Sequence, residues 1–81
     1  MVDIELIPHF QKVISKLDST TREKVLKQIE KIKNNPEIGK PMMYARKWTR
    51  EMYIPPFRLS YSYVEKENKV IFLDLYHKDK Q

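Results

Sequence analysis

Hydrophobic and polar positions follow two different periods along this chain. Near the start, Val2, Ile4 and Leu6 alternate with acidic residues, which predicts a short, half-buried strand. Apolar residues then recur every three to four positions, as on one face of an α-helix, over two segments separated by a polar break. The apolar residues with this spacing are Phe10, Val13, Ile14 and Leu17 in the first segment and Val25, Ile29 and Ile32 in the second. The pattern therefore predicts a strand followed by two helices.

The polar break carries signals for the start of the second helix. Thr20-Thr21-Arg22-Glu23 matches a capping box, in which the Thr20 hydroxyl and the Glu23 carboxylate bond each other's backbone N–H groups. Pro36 ends this helix, because the residue before a proline avoids the helical region. Two helices joined by so short a break are expected to form an antiparallel hairpin.

The second half of the chain changes to a period of two. Residues 48–54 alternate imperfectly, a Pro-Pro turn follows, and residues 57–63 alternate cleanly. A polar hairpin loop at residues 65–68 precedes a strongly apolar strand at residues 69–76. On the cleanly alternating strand one face carries Phe57, Leu59, Tyr61 and Tyr63, and the other carries Arg58, Ser60 and Ser62.

This order of elements predicts a single α+β domain over residues 1–81, built in two layers. Short loops force the last three strands into an antiparallel meander, and the N-terminal strand completes a four-stranded sheet. The helices cover one face of the sheet, since neither layer can bury its apolar surface alone. The other face is expected to be bare of helices and to carry Arg50, Arg58 and Lys78.

The composition of the chain excludes several kinds of functional site and favours one kind of partner. The 16 Lys and Arg exceed the 11 Asp and Glu, and the resulting net charge of +5 favours an anionic partner, either nucleic acid or an acidic peptide. The chain has no cysteine, which excludes a thiol nucleophile and a cysteine zinc site and favours a reducing cytoplasm. The one glycine, Gly39, excludes a glycine-rich phosphate loop. We expect no membrane span, no secretory signal and no small-molecule cofactor.

Several side chains are candidates for chemistry on an anionic substrate. The guanidinium of Arg58 suits phosphate recognition, although a plain surface arginine would give the same pattern. Arg50 and Lys47 precede it on the neighbouring strand. His77 follows the last strand and could move protons near neutral pH. The other histidine, His9, has no partner at metal-ligand spacing, so we predict no metal site.

Aromatic side chains could provide stacking platforms for RNA bases. Tyr61 and Tyr63 share the apolar face of their strand and are expected to lie in the core. Tyr53 and Tyr76 are left as candidates for contacts with RNA.

Four segments together suggest a family. The helical hairpin, a Gly-Lys-Pro loop, a strand with a central arginine and an apolar strand followed by basic residues resemble, in that order, the sequences of RelE/ParE-type toxins. The segments are residues 13–18 with 24–36, residues 39–41, residues 57–61, and residues 70–73 with 76–79. The resemblance covers nearly the whole chain.

The resemblance implies a small, metal-free ribonuclease that cleaves mRNA on the ribosome through attack by the RNA's own 2′-hydroxyl. A RelB-like antitoxin would wrap around it and block it. By position, Arg58 matches the family's strand arginine and Lys78 the basic residue after the last strand. Arg50 is the best match to a basic residue on the preceding strand, and His77 falls where many members have His or Lys.

Two departures from the family keep alternatives open, and the first is that Pro55-Pro56 stands where the family usually has a glycine before the strand arginine. The family's terminal tyrosine has no counterpart before Gln81, so Tyr76 or His77 is expected to handle protons instead. ParE-like members poison DNA gyrase without cutting RNA, and a decayed toxin would retain antitoxin binding alone. A small basic RNA-binding protein with no toxin role is a third alternative.

Overall fold

The computed structural model describes residues 2–41 and 49–77. Two helices follow the first strand, and the remaining strands follow the helices, in the order that the sequence predicts. The elements are β1 (Asp3–Leu6), α1 (Pro8–Ser15), α2 (Ser19–Asn34), β2 (Lys40–Pro41), β3 (Thr49–Ile54), β4 (Phe57–Val64) and β5 (Lys69–His77), with a short 3-10 turn (Glu65–Glu67) before β5.

The sheet has five strands, in the order β1-β5-β4-β3-β2. The predicted four-stranded sheet is therefore wrong by one strand. The additional strand β2 has two residues and pairs with β3, with Lys40 opposite Glu51 and Pro41 opposite Arg50. Proline reads as a strand breaker in the sequence, but an edge strand tolerates it because its missing N–H can face away from the ladder.

The predicted meander is confirmed. Strand β4 pairs antiparallel with both β3 and β5, and β1 pairs parallel with β5. The polar segment between β4 and β5 forms the hairpin connection and ends at Asn68, whose φ of 51° lies in the left-handed region that asparagine tolerates.

The start of α2 differs from the prediction. The helix begins at Ser19, and Asp18 is its N-cap, with the carboxylate accepting a hydrogen bond from the Thr21 N–H at 3.1 Å. The predicted capping box at Thr20 is therefore wrong. Asp18 takes the position because its carboxylate is at least as good an N-cap acceptor as a threonine hydroxyl, and the helix starts one residue after it.

Arg22 joins the two helices of the predicted hairpin. Its guanidinium donates from Nη2 to the backbone carbonyls of Leu17 at 2.8 Å and Ser15 at 3.3 Å. Carbonyls at the end of α1 have no partner within the helix, so a cation from α2 supplies one.

The hydrophobic core lies between the helices and one face of the sheet. Phe10 of α1 stacks on Phe72 of β5, with ring centroids 5.6 Å apart. From β4, Leu59 and Tyr61 are fully buried in this core, as the alternation predicts. The remaining core residues are Val25, Ile29, Ile32, Ile54, Val70 and Leu75.

A bulge interrupts the pairing of β4 with β5. Ser60 lies opposite Asp74, but the next residue, Tyr61, lies opposite Phe72, so Leu73 is an extra residue on β5. A strict alternation would place Phe72 and Leu75 on opposite faces of the sheet. The bulge changes the alternation by one residue, and both side chains are buried in the same core.

Candidate functional site

Three side chains form a row across the sheet, which we call the Arg58 row: Tyr53 of β3, Arg58 of β4 and Tyr76 of β5. Arg58 is paired directly with both tyrosines. Its neighbour in sequence, Leu59, is buried against the helices, so alternation places the Arg58 row on the face that the described helices leave uncovered. The prediction that Arg58 lies on the bare face is confirmed.

The guanidinium of Arg58 is held from two sides. Its Nη1 donates to Glu51 Oε1 at 2.6 Å, and its central carbon lies 5.9 Å from the centroid of the Tyr53 ring, a cation–π distance. The hydrogen bond with Glu51 raises the pKa of the guanidinium further above its ordinary value, so the group stays charged. The Nε atom is buried and has no hydrogen-bond partner in the described part of the chain.

Tyr76 approaches the same carboxylate. Its hydroxyl donates to Glu51 Oε2 at 2.5 Å. Glu51 thus connects Arg58 and Tyr76, and its side chain is 12% exposed, against 37% for Arg58. Nothing in the sequence pattern singles out Glu51, because a carboxylate is not an expected feature of an RNA site. The period of two could have found it, since Glu51 shares the face of Tyr53.

Tyr53 is the most open member of the row, with 51% of its surface exposed. Its ring lies beside the guanidinium and presents aromatic surface to solvent. The structure thus brings together Arg58, Tyr53 and Tyr76 from the predicted set.

Arg50 lies elsewhere. It is paired with the buried Tyr61 and alternates with Glu51, which places it on the face that packs against the helices. Its Nη1 donates to the backbone carbonyls of Glu37 at 3.0 Å and Gly39 at 2.8 Å. The prediction that Arg50 shares the bare face with Arg58 is therefore wrong, because the register of β3 against β4 pairs Arg50 with the buried Tyr61.

Tyr61 holds the same connection between α2 and β2. Its buried hydroxyl donates to the Pro36 carbonyl at 2.8 Å and accepts from the Gly39 N–H at 2.8 Å. Burial raises the pKa of this phenol. A Cβ at position 39 would lie 2.5 Å from the Tyr61 hydroxyl oxygen, so glycine is required here by close approach.

His77 is separated from Tyr76 by the alternation of β5. It is paired with Phe57, and its ring meets the Phe57 ring edge-on, with centroids 5.9 Å apart. Two further predicted residues, Lys47 and Lys78, lie outside the described residues.

The described residues contain no group of three or more His, Cys, Asp or Glu side chains that could hold a metal ion. His9 instead bonds Asp74, with Nε2 and Oδ1 3.0 Å apart. Within the same residues, no helix has the length and apolar character needed to cross a membrane.

The sequence of this chain is similar to those of known toxins. Residues 4–81 match the family model described as the ParE toxin of the type II toxin–antitoxin system parDE. RelE4 of Methanocaldococcus jannaschii, a protein that is named as a toxin, is 30% identical over 83 aligned positions, which cover 98% of this chain and 88% of that protein.

Solved structures share the fold. The isolated RelE toxin of E. coli superimposes with a TM-score of 0.86 at 17% identity, covering 100% of this chain and 88% of that one. The toxin in the intact RelBE toxin–antitoxin complex of E. coli gives a TM-score of 0.84 at 18% identity, with 95% and 96% coverage. The family match over nearly the whole sequence and the shared architecture agree, and the chain belongs to the RelE/ParE toxin family of type II toxin–antitoxin systems.

Proposed function

We propose that this toxin is a ribosome-dependent mRNA endoribonuclease that inhibits translation. The observation that supports this most directly is the Arg58 row, in which a permanently charged guanidinium lies between two tyrosines on the uncovered sheet face. A guanidinium recognises phosphate, and aromatic rings stack on bases. Both are needed at the cleavage point of a single-stranded message.

The proposed chemistry uses the RNA as its own nucleophile. The ribose 2′-oxygen attacks the adjacent phosphorus, and the bond to the 5′-oxygen of the next nucleotide breaks, leaving a cyclic phosphate and a 5′-hydroxyl. Arg58 stabilises the additional negative charge of the transition state. Tyr53 supports a base by stacking, and the Tyr76 hydroxyl supplies a proton to the leaving 5′-oxygen.

The other residues predicted from the sequence have lesser roles in the proposed reaction. Lys47 and Lys78 would contact phosphates of the message as point charges. His77, on the Phe57 side of β5, is a weaker candidate for proton transfer than Tyr76 because Tyr76 shares the face of Arg58. Arg50 would act indirectly, by fixing the α2–β2 connection.

A RelB-like antitoxin is the proposed partner. Relatives of this fold were solved as toxin–antitoxin complexes from E. coli, Mycobacterium tuberculosis and Pyrococcus horikoshii. The net charge of +5 favours an acidic segment, and exposed apolar side chains at Ile4, Leu26 and Ile38 offer contacts for its hydrophobic residues.

The test is cleavage of a defined message on purified ribosomes, read by primer extension. Wild type should cut within the decoding site, and Arg58→Ala should lose at least a hundredfold in rate, since removing one group that stabilises developing charge costs about 10²–10³. Lys27→Ala, which removes an exposed cation from α2, is the matched control and should cut normally. Equal cleavage by wild type and Arg58→Ala contradicts the proposal.

Inhibition of DNA gyrase is a second candidate, because the matching family model is that of the ParE toxin. A supercoiling assay with purified gyrase separates the two functions. Loss of supercoiling or trapped DNA breaks, together with intact messages on ribosomes, would favour the gyrase-directed toxin.

A further inference from the structure

Glu51 of β3 lies on the uncovered sheet face, and both oxygens of its carboxylate are held by hydrogen bonds. Arg58 donates to one oxygen of its carboxylate at 2.6 Å, and Tyr76 donates to the other at 2.5 Å. The two donors come from β4 and β5, while Glu51 itself is on β3. Three strands thus converge on one carboxylate, and its orientation is determined by charge-assisted hydrogen bonds rather than by solvent.

The proposed cleavage needs a general base as well as a proton donor. A 2′-hydroxyl is a weak nucleophile, and a base within hydrogen-bond reach must take its proton as the oxygen attacks. Within one nucleotide the 2′-oxygen adjoins the phosphate under attack. A base in contact with the phosphate-binding arginine is therefore close to the 2′-oxygen as well, and Glu51 has that contact with Arg58.

The carboxylate of Glu51 can still accept the proton of the 2′-hydroxyl. Each carboxylate oxygen has two lone pairs, and Arg58 and Tyr76 use one on each oxygen. A carboxylate beside a phosphate also opposes the binding of RNA by like-charge repulsion. A site that served binding alone would be better filled by a neutral side chain at position 51.

We propose that Glu51 is the general base of the RNA cleavage, an inference that rests on the proposed ribonuclease function. Glu51 takes the proton of the 2′-hydroxyl while the bond from the 2′-oxygen to phosphorus forms. The bond from phosphorus to the 5′-oxygen breaks, and the 5′-oxygen takes the phenolic proton of Tyr76. The protonated Glu51 then returns a proton to the Tyr76 phenolate along the hydrogen bond that joins them, and both groups regain their starting states.

The experiment compares Glu51→Gln with wild type under single-turnover conditions on ribosomes. Glutamine keeps the shape and one acceptor for Arg58 or Tyr76 but cannot take the proton. The cleavage rate should fall by about 10²–10⁴-fold, the usual contribution of a general base. Binding of a message with a 2′-deoxy nucleotide at the cleavage point, which cannot be cut, should be unchanged or tighter. Glu30→Gln, an exposed carboxylate on α2, is the control of equal charge.

The pH dependence distinguishes a base from a structural residue. The wild-type rate should fall in acid, and this acidic limb should be absent from Glu51→Gln. Glu51→Asp keeps a carboxylate one methylene further away, so it should be slower than wild type and keep the limb. It also replaces Glu51→Gln as the test if that variant does not fold by circular dichroism.

The failures of the two proposals are distinguishable. If wild type cuts and Arg58→Ala does not, but Glu51→Gln cuts within threefold of wild type, the ribonuclease function stands and Glu51 is not its base. Loss of cleavage in Glu51→Gln with an equal loss of affinity for the 2′-deoxy message overturns the base role in favour of a structural one. If wild type itself leaves messages intact, the proposed function fails and this inference fails with it.

Discussion

Arg50 and Arg58 lie on adjacent antiparallel strands but point to opposite faces of the sheet. Arg58 meets Glu51 and Tyr53 on the uncovered face, whereas Arg50 donates to two backbone carbonyls on the helix side. The two arginines, which the sequence alone grouped together, should therefore respond differently to substitution.

Arg50→Ala should lower the free energy of unfolding by about 1–3 kcal/mol, because two backbone carbonyls, one of them partly buried, lose a charged donor. Urea denaturation measures this change. Arg50→Lys should recover part of it through a single ammonium donor. An alanine variant with unchanged stability that no longer cuts RNA would return Arg50 to the catalytic group.

Gly39→Ala should destabilise the protein by about 1–3 kcal/mol, the usual cost of inserting a methyl group into a packed site. The new Cβ would lie 2.5 Å from the Tyr61 hydroxyl oxygen, and the ring would have to move off two hydrogen bonds. Thermal unfolding followed by circular dichroism measures the cost. A melting temperature equal to that of wild type would show that the tyrosine ring adjusts freely.

Asp18 should make a pH-dependent contribution to stability. The hydrogen bond from Thr21 to the carboxylate lowers its pKa below the ordinary value of 3.8. A lowered pKa in the folded state means that this contribution is fully present above the unfolded-state pKa and is lost as the pH falls through the folded-state pKa. Asp18→Ala should therefore have a lower melting temperature than wild type at pH 7, and the difference should narrow in acid.

Asp18→Asn is the control for the charge, because asparagine caps helices well but does not titrate in this range. The difference in melting temperature between Asp18→Asn and Asp18→Ala should vary little with pH. If the melting temperature of wild type exceeds that of Asp18→Ala by the same amount down to about pH 2, Asp18 is not the titrating N-cap.

Tyr53→Ala should weaken binding of an uncleavable RNA by about 5- to 150-fold, since stacking on one aromatic ring is worth roughly 1–3 kcal/mol per base. Tyr53→Phe keeps the ring and should bind like wild type. Fluorescence anisotropy with labelled single-stranded RNA at fixed salt measures both. Equal weakening by alanine and phenylalanine would assign the effect to the hydroxyl instead of to stacking.

The sequence predicted the order of the elements well, for a physical reason. Helix and strand periods differ clearly here, and the core residues Phe10, Val25, Leu59 and Tyr61 all occupy positions that the periods mark as buried. Strand β2 was missed because two residues cannot show a period. The start of α2 was misplaced by competition between neighbouring N-cap candidates.

The site was only partly predictable. Arg58 stands out because a cation at the centre of an alternating strand must point to one face. The face of Arg50 depends on the register of β3 against β4, which the imperfect alternation of residues 48–54 does not reveal. Glu51 gave no signal of its own, since its two hydrogen-bond donors come from other strands, β4 and β5.

The extra residue Leu73 has a consequence for how such a site can evolve. By changing the alternation, it places Tyr76 beside Arg58 and His77 beside Phe57. If Leu73 stayed in β5 but the two strands paired without the bulge, Tyr76 and His77 would exchange faces. Removing one residue between Leu73 and Tyr76 while the bulge persists would move His77 opposite Arg58 without substituting either residue. The bulge therefore determines which of two neighbouring side chains, the phenol or the imidazole, lies on the uncovered face of the sheet.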